Sequence, residues 1–281
     1  MVSAKGRPYD WGLRIYRELF DLEALHFGLW EDGEEVSLEN IHVAQQRYTD
    51  RLLASFPEGV KSVLDVGCGT GTTSEQLLDA GYQVNSLSPC EYQEGLVKER
   101  LGDRVTFHRS TFEKLRTDKR FDLVLMSESC QYIEPTEAFK QARSLLNPGG
   151  HLLISDYFRK EKTRYYRACH VFAPFMKQAE EDRFDLLADE DITDAVTPML
   201  KFAEGIYEDY LLPMANVAGE WALREYPRTS WLGQRLFRKK VDKMKRSIYE
   251  DMPEKYDGKL FAERMTYRIM LFRPAEFAAA E

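Results

Sequence analysis

Three glycines in five residues, Gly67-Cys68-Gly69-Thr70-Gly71, follow the short apolar run Ser62-Val63-Leu64-Asp65-Val66. Glycine tolerates positive φ and has no Cβ, so a ligand can lie against the backbone of such a loop. A helical stretch through Leu77 and Leu78 opens after it. Free N–H groups at a helix start favour an anionic or polar ligand group. Asp65, at the end of the run, is positioned to order the loop or to face a cationic part of the ligand. Strand, glycine loop and helix together point to a nucleotide-like cofactor. A nicotinamide dinucleotide site would show G-x-G-x-x-G with an acidic residue about twenty positions further on. Here the spacing is G-x-G-x-G and Ser88 stands in the acidic place, which argues against that cofactor.

A second set of reactive side chains lies downstream. Glu128, Ser129, Cys130, Gln131 and Tyr132 follow one apolar run, and Asp156 and Tyr157 end another. Polar groups at strand carboxyl ends reach ligands in open α/β sheets. Glu128 is a candidate base or a site for a cationic acceptor. Tyr132 is a candidate hydrogen-bond partner or proton relay. Cys130 has no histidine in sequence view and reads as a small buried filler. Upstream, His26 titrates near neutral pH when unperturbed and is a further candidate base. The neighbouring rings of Phe27 and Trp30 suit a cation. The four cysteines, Cys68, Cys90, Cys130 and Cys169, form no CxxC pair and no ligand-spaced cluster with the five histidines. No metal site and no disulfide framework is expected. Reduced thiols suit a cytoplasmic compartment.

The elements that must hold these residues alternate. Strands are expected at 62–66, 82–87, 105–108, 121–126, 151–155 and 184–188, with helices between them. Asn147-Pro148-Gly149-Gly150 reads as a helix stop. Met265 to Phe272 alternates as a closing strand. The pattern is that of a doubly wound sheet. The roughly seventy residues before the closing strand exceed an ordinary loop and are expected to be a helical insertion. Ala203, Ile206, Tyr207, Tyr210, Leu211 and Met214 fall on one helical face, and Phe237, Val241, Met244 and Ile248 on another. Both stripes, and most aromatics of the insertion, read as core.

V-L-D-V-G-C-G-T-G at 63–71, F-D-L-V-L-M-S at 121–127 and L-L-N-P-G-G-H-L-L-I-S-D at 145–156 resemble the class I S-adenosylmethionine-dependent methyltransferases. The likeness covers about residues 61–158. It implies an α/β, Rossmann-like, doubly wound seven-stranded sheet, mostly parallel with an antiparallel last strand, and S-adenosyl-L-methionine at its carboxyl edge. His26-Phe27-Gly28-Leu29-Trp30, the Leu87-Ser88-Pro89 strand ending and the helical insertion are similar to the small-molecule branch, with its tocopherol-, sarcosine- and cyclopropane-synthase-like enzymes. On this resemblance Gly67, Gly69 and Gly71 meet the methionine part of the cofactor, and Asp65 is the motif's acidic position. Ser88 stands where many relatives use a carboxylate for the ribose, with Gln93 supplying a further polar contact. Thr111 and Phe112 flank the adenine. Met126 and Ser127 end a strand whose carbonyl meets the methionine ammonium. Gln45 and Gln46 lie where relatives carry a cofactor-touching glutamine. The segment from Glu128 to Tyr132 lines the acceptor pocket. The chain then divides into an N-terminal helical cap at 1–58, a cofactor-binding unit at 59–192, a helical substrate cap at 193–262, and a closing strand and tail at 263–281.

Methyl transfer from a sulfonium needs alignment and exclusion of water above all. A base is required only when the acceptor is protonated. The expected reaction is methylation of a small molecule, at N or O ahead of C. The alternatives are C-methylation or cyclopropanation of an isoprenoid or acyl chain, and a non-catalytic cofactor-binding scaffold. A net charge of −8 argues against a nucleic-acid partner, which a basic field would mark. No stretch has the ~20 apolar residues of a membrane span. Residues 228–246 nonetheless carry eight basic side chains and one acidic one, with Arg235, Arg238, Lys239, Lys245 and Arg246 along one helical face. Pairing with the acidic stretch 178–225 is the simplest expectation for that face. An anionic lipid surface, a phosphate-bearing substrate and an acidic partner are the alternatives.

Overall fold

The structure is a computed structural model and describes residues 11–163 and 165–275. The first ten residues of the expected cap and the Ala278–Ala280 tail lie outside the described residues. Seven strands form one sheet: β1 (Ser62–Val66), β2 (Gln83–Leu87), β3 (Thr106–His108), β4 (Phe121–Ser127), β5 (Leu146–Arg159), β6 (Phe184–Asp191) and β7 (Met265–Pro274). Their order is β3-β2-β1-β4-β5-β7-β6. All pairings are parallel except those of β7, which runs antiparallel between β5 and β6.

Alternation along the strands feeds a core on each face. Val124 and Met126 of β4 point into one, with Phe139, Phe175 and Phe272. Leu123 and Leu125 point into the other, with Tyr48, Leu52, Leu77 and Tyr267. The first core is covered by α5 (Pro135–Leu145) and α6 (Phe172–Glu181). The second is covered by α2 (Leu38–Ala54) and α3 (Thr72–Asp79). Ser37 caps α2 by accepting the Asn40 N–H, and proline opens the first turn of α5 where its missing N–H costs nothing. The Asn-Pro-Gly-Gly signal does end α5, but β5 starts at Leu146 and runs straight through it.

Between β6 and β7 lie α7 (Thr193–Val196), α8 (Pro198–Ile206), α9 (Leu212–Glu225), α10 (Pro227–Leu236), α11 (Arg238–Arg246), α12 (Met252–Tyr256) and α13 (Gly258–Arg264). Two π-helical turns, Tyr207–Leu211 and Ser247–Asp251, interrupt them. Each sits just ahead of a proline, Pro213 and Pro253, whose ring would clash with a carbonyl of a regular α-helix. Tyr207 is buried, while Tyr210, Leu211 and Met214 of the stripe expected as core are exposed, and α9 carries no buried residue at all.

Candidate active site

The glycine loop joins β1 to α3 with Gly67, Gly69 and Gly71 at φ +79°, +55° and +87°. A Cβ on Gly67 would lie 2.5 Å from that of Ser129, so this glycine permits contact between the β1 and β4 ends. A Cβ on Gly71 would press on Val97 of α4 (Glu91–Leu101) at 3.1 Å. At Gly69 a Cβ would meet nothing within 4 Å, so this glycine faces open space at the sheet's carboxyl edge. Asp65 is buried behind the loop and accepts a 2.6 Å hydrogen bond from Ser74, whose hydroxyl also meets that of Ser86 at 2.7 Å. Burial pushes the Asp65 carboxyl up to about 6.

The other cofactor candidates surround this opening. At the end of β2, Ser88 donates to Gln93 Oε1 at 2.6 Å and accepts the Cys90 N–H at 3.1 Å. Thr111 is half-buried beyond β3, while Phe112 and Met126 are enclosed in the core as wall. Ser127 meets the Tyr48 hydroxyl at 2.9 Å. The two glutamines serve the scaffold. Gln45 Nε2 donates to the carbonyls of Ala24 and His26 at 2.9 and 3.0 Å, and Gln46 pairs with Asp50 and Gln76. No cluster of potential metal ligands occurs among the described residues.

The segment between α1 (Trp11–Phe20) and α2 is strapped over this edge. Thr70 donates to the Glu23 carbonyl at 2.7 Å, fastening the strap to the glycine loop. Further along, the Leu29 N–H reaches Ala44 and the Trp30 N–H reaches Ala195, each at 2.8 Å. Gly28 approaches α2 so closely that a Cβ would lie 2.9 Å from Ala44.

Beneath the strap is a polar cluster built from four elements. Glu128 ends β4 in the left-handed region at φ +51°, which a non-glycine residue rarely adopts. Its N–H bonds the Ser155 carbonyl at 2.7 Å, and its Oε1 accepts from Tyr267 at 2.7 Å and from the Phe27 N–H at 3.2 Å. The Tyr267 hydroxyl lies 3.1 Å from that of Tyr48, which reaches Ser155 at 2.7 Å. Asp156 accepts the N–H groups of Gln131 and Tyr157 at 2.9 and 2.8 Å. Burial pushes Asp156 up to about 7; burial, and then the neighbouring Asp156 charge, pushes Glu128 up to about 8. Around them stand the rings of Phe27, Tyr157, Tyr166, Phe261 and Tyr267, with centroids 5.5–6.1 Å apart.

His26 stacks on Tyr48 at 4.2 Å, and its Nδ1 is buried with no hydrogen-bond partner among the described residues. Burial pulls its pKa down to about 3, so the ring is neutral at physiological pH. Tyr132 is 57% exposed on the turn after β4, while its neighbour Gln131 turns inward to the Tyr157 hydroxyl. Cys130 is fully buried, and burial pushes its thiol up. Tyr48 and Tyr267 were not legible as members of this cluster, because each sits in an apolar periodicity that reads as core.

The chain is similar to known proteins in sequence and in fold. Residues 39–185 match the family model of the methyltransferase domain. The chain belongs to that family. The methyltransferase is 26% identical over 197 residues to a ubiquinone biosynthesis O-methyltransferase of Rickettsia felis, covering 63% of this chain and 80% of that protein. It is 29% identical over 160 residues to a probable chloroplastic tocopherol O-methyltransferase of Oryza sativa subsp. japonica, covering 52% and 44%. Its fold is that of a putative sarcosine dimethylglycine methyltransferase from Galdieria sulphuraria, with a TM-score of 0.67 at 16% identity over 93% and 97% of the two chains. The protein is an S-adenosylmethionine-dependent methyltransferase with a small-molecule acceptor. No helix among the described residues is long and apolar enough to cross a membrane.

Proposed function

We propose that this methyltransferase acts on a hydroxyl group of a largely apolar small molecule, with Glu128 as the base. One observation carries the reading: a carboxyl held at about 8, at the β4 carboxyl end beside the glycine loop, inside an aromatic wall. A base with a pKa near the working pH is the most effective one for a protonated acceptor. The O-methyltransferase names of the sequence relatives support oxygen as the acceptor atom.

S-Adenosyl-L-methionine, when bound, supplies a methyl group already activated on a sulfonium. The residues that fit it are Gly67, Gly69, Gly71 and Asp65 at the β1 end, Ser88 and Gln93 at the β2 end, Thr111 and Phe112 after β3, and Met126 and Ser127 on β4. The observation behind that fit is the open space and positive φ at Gly69. Asp65 orders the loop through Ser74. Glu128 would take the acceptor's hydroxyl proton onto its carboxylate, leaving the acceptor oxygen free to receive the methyl group that the cofactor would supply. Tyr267 steadies the Glu128 carboxylate by a hydrogen bond. Phe27 and neutral His26 roof the cluster and exclude water. Tyr132 lies at the rim of the acceptor approach. The four free thiols support a reducing, cytoplasmic setting.

The test pairs calorimetric titration with S-adenosylmethionine and S-adenosylhomocysteine against turnover on a panel of hydroxylated acceptors. Glu128→Gln should bind both ligands as wild type does and lose roughly 10²–10⁴ in rate. Its rate should no longer rise toward pH 8. An unchanged pH–rate profile in that variant would remove Glu128 from the chemistry. Binding without turnover on any acceptor would favour a scaffold.

A further inference from the structure

The far end of the insertion differs from the rest of the chain. Residues 217–246 hold nine basic and three acidic side chains within a protein of net −8. Over the same stretch Trp221, Tyr226, Trp231, Leu236, Phe237 and Met244 are each 53–66% exposed. Helix α10 packs on α9 and α11, each of which continues into a π-helical turn, and neither α9 nor α11 contains a buried residue. Among the described residues, no basic side chain of this stretch forms an ion pair with the acidic stretch upstream, contrary to the simplest expectation. Arg238 and Arg246 pair within their own helical run, with Asp242 and Glu250, at 3.7 and 3.8 Å. Among the described residues, Lys239, Lys240, Lys243 and Lys245 form no ion pair. Two cations lie over exposed rings instead, Arg235 over Trp231 at 5.3 Å and Lys240 over Phe237 at 5.6 Å.

We propose that this tip docks the enzyme on an anionic lipid surface. Along α11 the stripe of Phe237, Val241 and Met244 is flanked on both sides by lysine and arginine, the pattern of a helix that lies in a membrane interface. Long basic stems reach headgroup phosphates while the apolar stripe and the tryptophans enter the acyl boundary. The net charge of the tip is opposite to that of the lipid. A second copy docking tip to tip would bring like charges together. A nucleic-acid strand would need rings set along a basic groove, whereas here they share exposed helical surface with the apolar Leu236 and Met244. The inference does not depend on which acceptor is methylated.

The test is co-sedimentation of the full chain with vesicles of phosphatidylcholine alone and of phosphatidylcholine mixed with phosphatidylglycerol. Binding is expected on the mixed vesicles and should be released by high salt, with a blue shift of tryptophan emission that Trp221→Phe/Trp231→Phe removes. Lys239→Glu/Lys243→Glu should lower partitioning at least about tenfold, since each cation near the surface contributes appreciably. Trp231→Ser/Phe237→Ser should weaken it with no change in charge. All four positions are exposed, so melting temperatures should stay at the wild-type value. Equal binding to uncharged vesicles, or no loss on charge reversal, overturns the proposal. So does tighter binding of an RNA oligonucleotide than of vesicles, or a dimer in lipid-free solution that the same substitutions dissolve.

Discussion

Gly67 and Gly69 are two residues apart in one motif, yet the structure assigns them different physical tasks. Gly69→Val should leave the fold nearly intact, costing about 1 kcal/mol for a side chain at positive φ, and abolish S-adenosylmethionine binding in a calorimetric titration. Gly67→Ala should instead lower the melting temperature, by an overpacking cost of roughly 1–3 kcal/mol against Ser129. Unchanged cofactor affinity in the first variant would show that the ligand does not cross this loop. Around Glu128, the Tyr267 hydrogen bond favours the charged carboxylate and burial opposes it. Tyr267→Phe should therefore move the rising limb of the pH–rate profile to higher pH. A change in rate with no movement of that limb would make Tyr267 a packing residue only. The motif showed where the cofactor loop lies, and Glu128 was visible as a carboxylate after a strand. Its left-handed backbone and the hydroxyl chain through Tyr48 were not, since both depend on elements far apart in sequence.

Among the elements, the strap from Glu23 to Trp30 has no regular secondary structure and is held by a few directed bonds. Gln45 makes two of them. Gln45→Ala would take the donor from the buried His26 carbonyl and the half-buried Ala24 carbonyl, at a cost of about 1–3 kcal/mol. Its expected signature is a rise in KM for the acceptor and faster amide exchange over residues 24–30, with the sheet's exchange unchanged. Uniform loosening of the whole chain would instead mark Gln45 as general core. The strands and helices of the sheet were legible because alternating apolar runs and glycine or proline stops agree with the fold they enter. The insertion was legible as helix but not as a face. Its apolar stripes run into α9 and along α11, where no residue is buried, and periodicity shows which residues share a face but not whether that face is covered.

For the molecule as a whole, three buried carboxyls, Asp65, Asp156 and Glu128, hold protons more tightly folded than unfolded. Their contribution to stability is complete below about pH 4 and is lost progressively up to about pH 8. Glu128→Gln should accordingly raise the melting temperature at about pH 9 and change it little at about pH 5. Equal shifts at both values would mean that the site carboxyl does not titrate across this range. The sheet order carries one more consequence, which concerns the chain as it is made. Strand β6 pairs only with β7, and roughly seventy residues separate them. At roughly 5–20 residues per second of synthesis, β6 waits several seconds on the ribosome for its only neighbour. Its acidic side chains, Asp185, Asp189, Glu190 and Asp191, keep that waiting edge charged against strangers. Because β7 also brings Tyr267, a nascent chain can shape its glycine loop well before it can hold Glu128 in place. On the proposed roles of these residues, the cofactor loop is therefore complete before the base is held.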